Sequence, residues 1–170
     1  MRPLLLMDVD GPLNPYGAGW FRGRPQHGYV IHELTPAGER TYRVALHPDH
    51  GEALRRVGSA YDLVWATTWQ HEANRLISPI LGLPDDLPVV PLRLPRHHIG
   101  RWCWKTDQIA EWVGDRPFAW FDDEINRATR DRLARMPGLG AHLALRIEPH
   151  VGLRSPDFAS LQSFADGLAG

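Results

Sequence analysis

The stretch Leu4-Leu5-Leu6-Met7-Asp8-Val9-Asp10-Gly11-Pro12-Leu13-Asn14 limits the possible folds of this 170-residue chain more than any other. Its apolar run is too short for a helix and reads as a strand buried on both faces, ended by two acids and a Gly-Pro turn. Residues i and i+2 of a strand project to the same side, so Asp8 and Asp10 converge just past the strand's carboxyl end. Open α/β sheets bind their ligands there. The pair therefore marks a place for a cation and a phosphate.

The length suits one domain with a real core, spanning 1–170, and is short for two. Hydrophobic residues make up 43% and charged residues 23%, which excludes a disordered chain. A net charge of −1 supplies no field for holding a nucleic acid or an anionic membrane, so there is no strong nucleic-acid signal. Cys103 is the only cysteine, which rules out an intrachain disulfide and a Cys-based zinc site and makes a cytoplasmic setting the default expectation. Leu4 to Val9 is far too short to span a membrane. Of the 19 basic residues all but Lys105 are arginines, so the one ammonium is either at a position suited to a compact point charge or a chance exception to an arginine bias.

Along the chain, Pro12 to Gly28 has neither helical nor strand period and reads as a long ordered loop. Tyr29–Leu34 and Thr41–Leu46 then form a β-hairpin, so that about 12–47 is a loop-and-hairpin insertion above the carboxyl ends of the sheet, placed to act as a flap. A helix follows from Pro48 or Asp49 to about Ala60, with Asp49 as cap. Tyr61–Ala66 reads as a second buried strand, Gln70–Leu81 as a helix closed by Gly82 and Pro84, and Val89–Leu92 as a brief strand. Trp102–Val113 reads as a helix with Ile109, Trp112 and Val113 on one face. Phe118–Phe121 is a strand, about Ile125–Met136 a helix and His142–Ile147 a last strand. Ser155-Pro156 caps a final helix through about Leu168. Strands alternating with helices give a three-layer, Rossmann-like, mostly parallel sheet with helices on both faces.

Parallel strands bring their carboxyl ends together, so Asp8/Asp10, Thr67/Thr68 and Asp122/Asp123, each following an apolar strand, share one sheet edge. Mg²⁺ favours oxygen ligands from a few carboxylates, with water and phosphate completing the shell. Several acids crowded at one edge repel one another unless a cation is present. An Asp carboxylate can attack phosphorus, and a second acid can exchange the proton with the leaving group and then with water. Thr and Lys can hold the transferred oxygens.

Asp8-Val9-Asp10-Gly11-Pro12-Leu13, then Trp65-Ala66-Thr67-Thr68-Trp69, then Lys105, then Asp122-Asp123 resembles the motif series of the haloacid dehalogenase (HAD) superfamily, over most of the chain. The resemblance implies Asp8 as nucleophile and Asp10 as general acid/base, with the Asp10 carbonyl oxygen also on Mg²⁺. It implies Thr67 as the phosphate-binding hydroxyl, Lys105 as the third motif's lysine, Asp123 as a direct metal ligand and Asp122 as a direct or outer one. No insertion is large enough for a cap domain, which implies a capless member with a hairpin flap and an open site for a phosphorylated substrate, small or macromolecular.

Other readings stand beside these. Thr67-Thr68 suits a helix N-cap, Asp122 to Glu124 suits the dipole of the next helix, and Asp-Gly suits a turn. His97-His98 with Arg96 and Arg101 form a basic loop that is either solvated or faces a substrate phosphate. Trp20, Trp69, Trp102 and Trp104 belong to the core, the rim or the pocket mouth, and Trp69, beside Thr68, is the best placed to touch substrate. Response-regulator receivers use a similar residue set in a different chain order. A phosphotransferase or a non-catalytic binding module are the alternatives on this fold, and neither substrate nor oligomeric state follows from the sequence.

Overall fold

The computed structural model describes residues 1–16, 28–96 and 100–170. His97, His98 and Trp20 lie outside them. The central strand is β1, Leu4–Met7, every residue of which is buried. It lies between β4, Asp62–Trp65, and β5, Phe118–Asp122, and β6, His142–Arg146, pairs beyond β5. All three pairings are parallel, with Met7 level with both Trp65 and Phe121. This register sets Asp8, Ala66 and Asp122 in one row at the carboxyl edge. The pairing runs on past the strands through Asp8 N–H to Phe121 O (3.3 Å) and Ala66 N–H to Met7 O (2.8 Å).

Alternation along the strands divides the core between the two faces of the sheet. Leu5, Met7, Trp65, Ala119 and Phe121 pack on one side with α1 (Pro48–Val57), α5 (Ser155–Ala169) and the hairpin. Leu4, Leu6, Val64, Phe118 and Trp120 pack on the other with α3 (Thr106–Val113) and α4 (Arg127–Leu133). Each fully buried leucine or phenylalanine contributes about 1.5–3 kcal/mol. The hairpin, β2 (Val30–Leu34) and β3 (Tyr42–Leu46), forms an antiparallel sheet of its own.

Local details depart from the sequence expectations for identifiable reasons. The cap of α1 is His47, whose Nδ1 accepts from Asp49 N, because Pro48 takes the first turn and pushes Asp49 inside it. Gln70–Leu81 is not one α-helix: a π turn over Ala73–Ile77 leads into α2, Ser78–Leu81. Pro79 has no N–H for the Arg75 carbonyl and its ring would clash there, which the wider turn relieves. Val89 makes one isolated bridge to Trp65 and no strand, as prolines 88 and 91 cannot extend a ladder. Helix α3 begins only at Thr106, so Lys105 stands at its N-cap, and Trp112 faces outward at 37% exposure. The cap of α5 is Arg154, whose N–H donates to Asp157 (2.8 Å). Among the described residues, no helix is long and apolar enough to cross a membrane.

Behind the hairpin, His50 is buried against Tyr29, His47 and Phe158. Its Nε2 lies 3.0 Å from Leu153 O, and since a carbonyl only accepts, Nε2 carries the proton and Nδ1 is left without a partner among the described residues. Burial, with the neighbouring His47, lowers its pKa to about 4. A folded pKa below the unfolded 6.5 means that the unfolded chain takes up a proton the folded one refuses. This contribution is complete above pH 6.5 and is lost as pH falls toward 4, amounting to about 3 kcal/mol. Urea unfolding of wild type and His50→Gln between pH 7 and 4 tests it. The glutamine variant is expected to lose the less stability on acidification, and parallel losses would refute the assignment.

Candidate active site

The acids sit where they do because strand parity carries them there. Asp8 follows Leu4 and Leu6, and Asp122 follows Phe118 and Trp120, on the face that α3 covers. Lys105, at the start of α3, reaches that face and lies 2.8 Å from Asp8 Oδ2 and 2.7 Å from Asp122 Oδ2. All three side chains are at most 7% exposed. Asp122 Oδ1 accepts from Glu124 N (2.9 Å), so both of its oxygens are occupied. Asp8 Oδ1 accepts from Val9 N (2.9 Å).

Asp123 completes the group, offering a carboxylate oxygen such that one atom each of Asp8, Asp122 and Asp123 lie within 4.8 Å of one another. Close approach of the chain permits this. Gly11 has φ +90°, and a Cβ there would come within 2.6 Å of Asp123 Cγ, so no other residue fits without displacing that acid. Two carboxylates contact a single ammonium and a third lies beside them, which leaves surplus negative charge. Burial pushes the Asp8 carboxyl well above its usual range, against the pull of Lys105. Burial and the charge of Asp122 push Asp123 up to about 6. Burial alone would lower the Lys105 ammonium, but Asp8 and Asp122 outweigh it and hold it charged, with its pKa raised. A hard divalent cation with a preference for oxygen fits this donor set.

Asp10 stands apart from that cluster. Its Oδ1 accepts from Asn14 Nδ2 (2.8 Å) and its Oδ2 from Trp69 Nε1 (2.9 Å). It lines a cleft of about 330 Å³ beneath the hairpin, walled by Tyr42, Arg43, Thr68 and Trp69 with Glu39 and Glu72 at its rim. The hairpin is fastened over this cleft by the Glu72–Arg75 ion pair. Ala37 N donates to Glu72 (3.2 Å) and Arg75 to Thr35 O (2.9 Å).

Thr67, fully buried, ends the β4 row, and Thr68 is exposed on the cleft. The next turn is a non-helical bend in which Gln70 takes φ +50°, its side chain bonded to Thr67 O and Leu92 O (both 3.3 Å). Thr67 thus caps no α-helix at Trp69 or Gln70, although its Oγ1 lies 3.4 Å from Trp69 N. Arg96 and Arg101 are exposed on either side of the undescribed 97–99. Cys103 is buried and donates toward Glu124 (3.5 Å), and burial raises its thiol pKa far out of reach of a thiolate role. Two neighbours of the acids escaped the sequence reading. Asn14 had no motif to mark it, and Tyr16, past the turn, has a phenol pushed up by burial and by the charges of Asp10, Asp123 and Asp8.

The family model for the HAD domain in Swiss Army Knife RNA repair proteins matches residues 4–158. The chain belongs to this family. The match takes in all four motif stretches and the hairpin, and ends inside α5. Membership in the HAD superfamily carries a hydrolase, phosphatase-type function in general, and such domains typically use Mg²⁺. A comparison with curated proteins finds no match.

Proposed function

We propose that the protein is a Mg²⁺-dependent phosphohydrolase that cleaves a phosphomonoester through an aspartyl-phosphate on Asp8. The observation that carries this reading is Lys105 set between Asp8 and Asp122 at the carboxyl edge of the sheet, with Asp123 beside them. Asp8, the Asp10 carbonyl and Asp123 would hold the metal, with Asp122 as a further direct ligand or just behind them. The cation would neutralise phosphate charge and relieve the repulsion among the acids.

In the first step Asp8 Oδ bonds to phosphorus and the ester P–O bond breaks, the leaving oxygen taking a proton from Asp10. In the second, water bonds to phosphorus, the Asp8–phosphorus bond breaks and the water's proton passes to Asp10, which restores the site. Lys105 and the Thr67 hydroxyl hold phosphoryl oxygens as charge develops. The leaving group occupies the cleft on the Asp10 side, where Trp69, Thr68 and Tyr42 meet it.

The family's description makes a phosphate at an RNA end the first substrate to test. A net charge of −1 suits a grip on the terminal nucleotide and not on a long tract of backbone. Phosphate release from p-nitrophenyl phosphate and from 3′- and 5′-phosphorylated oligoribonucleotides, with Mg²⁺ and with EDTA, tests the reading. Release is expected to stop with EDTA and return with excess Mg²⁺. Inactivity on all three with Mg²⁺, or undiminished activity in EDTA, would refute it.

A further inference from the structure

We infer that Trp69 and Asn14 are positioning residues for Asp10, holding its carboxylate by both oxygens in the orientation from which it protonates a leaving group in the hairpin cleft. The inference rests on the phosphohydrolase reading and adds to it the groups that orient Asp10. Asp8 is fixed by an ammonium and one backbone N–H, whereas Asp10 is fixed by two neutral side-chain N–H donors at 2.8 and 2.9 Å, one on each oxygen. Turning the carboxyl about its last bond breaks both contacts at once. Proton transfer requires heavy atoms about 2.6–3.2 Å apart, and an error of about 1 Å in placement costs on the order of 100-fold.

The donors are themselves anchored from opposite sides. Asn14 Oδ1 accepts from Ala45 N of β3 (2.9 Å), its N–H bonds to Val9 O and its carbonyl accepts from Gly11 N (both 2.9 Å). One amide therefore ties the base of the hairpin to the acid. Trp69 comes from the bend held by the left-handed Gln70 and rests edge-on against Tyr42, with ring centroids 5.9 Å apart. Its N–H points to Asp10 while the residue also lines the cleft. The placement admits a plainer role for Trp69 as a wall for substrate, and the two roles differ in how they depend on the leaving group.

When an alkyl phosphate is cleaved, the Asp8–phosphorus bond forms, the P–O bond breaks and the alkoxide oxygen takes the Asp10 proton. p-Nitrophenolate leaves as a stable anion and needs no proton. The ratio kcat/KM covers events only through this departure, so the later water step does not enter. Trp69→Phe keeps an aromatic wall and removes the N–H. Its kcat/KM is expected to fall about 10- to 100-fold on glycerol phosphate and less than about 3-fold on p-nitrophenyl phosphate, the direction also expected of Asp10→Asn. Asn14→Ala is expected to show the same selectivity, and thermal unfolding checks that it folds. Equal losses on both substrates, or none on either, in a Trp69→Phe protein whose wild type is active would overturn the positioning role. A phosphorylated oligoribonucleotide, itself an alkyl phosphate, replaces glycerol phosphate if wild type does not cleave the latter, and wild type inactive on all of these substrates would overturn the underlying phosphohydrolase reading, and the inference with it.

Discussion

Replacing Asp8 with Asn is expected to cut Mg²⁺-dependent phosphate release by about 10³-fold or more while leaving the fold intact. The amide keeps the shape of the side chain but is no nucleophile, and loss of a nucleophile is among the largest single effects seen in enzymes of this kind. Stability is expected to move the other way. Asp8 is 5% exposed, and burial disfavours its charge more than Lys105 repays. In the variant Lys105 retains Asp122 at 2.7 Å, so one ammonium faces one carboxylate in the pair that remains. Asp8→Asn is therefore expected to melt at the same temperature as wild type or higher. Acid-quenched wild type mixed with ³²P-labelled substrate is expected to carry covalent label, and the variant none. An Asp8→Asn protein that turns over at the wild-type rate would exclude Asp8 as the attacking group.

Why the sheet and its acids were legible is plain from β1, β4 and β5. The middle of a strand buried on both faces is apolar, so the first charged or polar residue at its carboxyl end announces the sheet edge, as Asp8 and Thr67 do past β1 and β4 and Asp122 does at the last position of β5. Parallel pairing then joins stretches more than fifty residues apart without further information. Lys105 could be read from its order among the other motifs and from being the one lysine, whereas its immediate neighbours suggested only a place near the start of a helix, and it stands at the N-cap of α3. What stayed hidden was set by side-chain direction. An asparagine four residues past Asp10 looks like any turn residue until its amide is seen between Asp10 and Ala45. Trp69 reads from the sequence as the tryptophan best placed to touch substrate, but its N–H bond to Asp10 comes from a bend in which Gln70 takes φ +50°, which no propensity for glutamine suggests. The π turn before Pro79 and the His47 cap are likewise local answers to a proline.

The largest expected loss of stability follows from removing the ammonium. Lys105→Met leaves Asp8 and Asp122 buried and facing each other without the cation now 2.8 and 2.7 Å from them. Breaking a buried pair from one side costs about 3–5 kcal/mol, which in a domain of this size lowers Tm by roughly 6–20 °C. The loss has a definite pH dependence. Without the lysine the folded protein raises the carboxyl pKa values, so it binds protons that the unfolded chain releases, and its stability falls as pH rises through the carboxylate range and above. The gap between wild type and Lys105→Met is thus expected to be small near pH 4 and wide at pH 8. Two additions narrow it at pH 8: Mg²⁺, which supplies positive charge to the same oxygens, and Asp122→Asn, which removes one of the two stranded carboxylates. Melting curves of the single and double variants at both pH values, with Mg²⁺ and with EDTA, measure all three effects. A single variant within about 1 kcal/mol of wild type at pH 8 in EDTA would mean that the acids do not depend on Lys105, and the electrostatic account of this site would have to be abandoned.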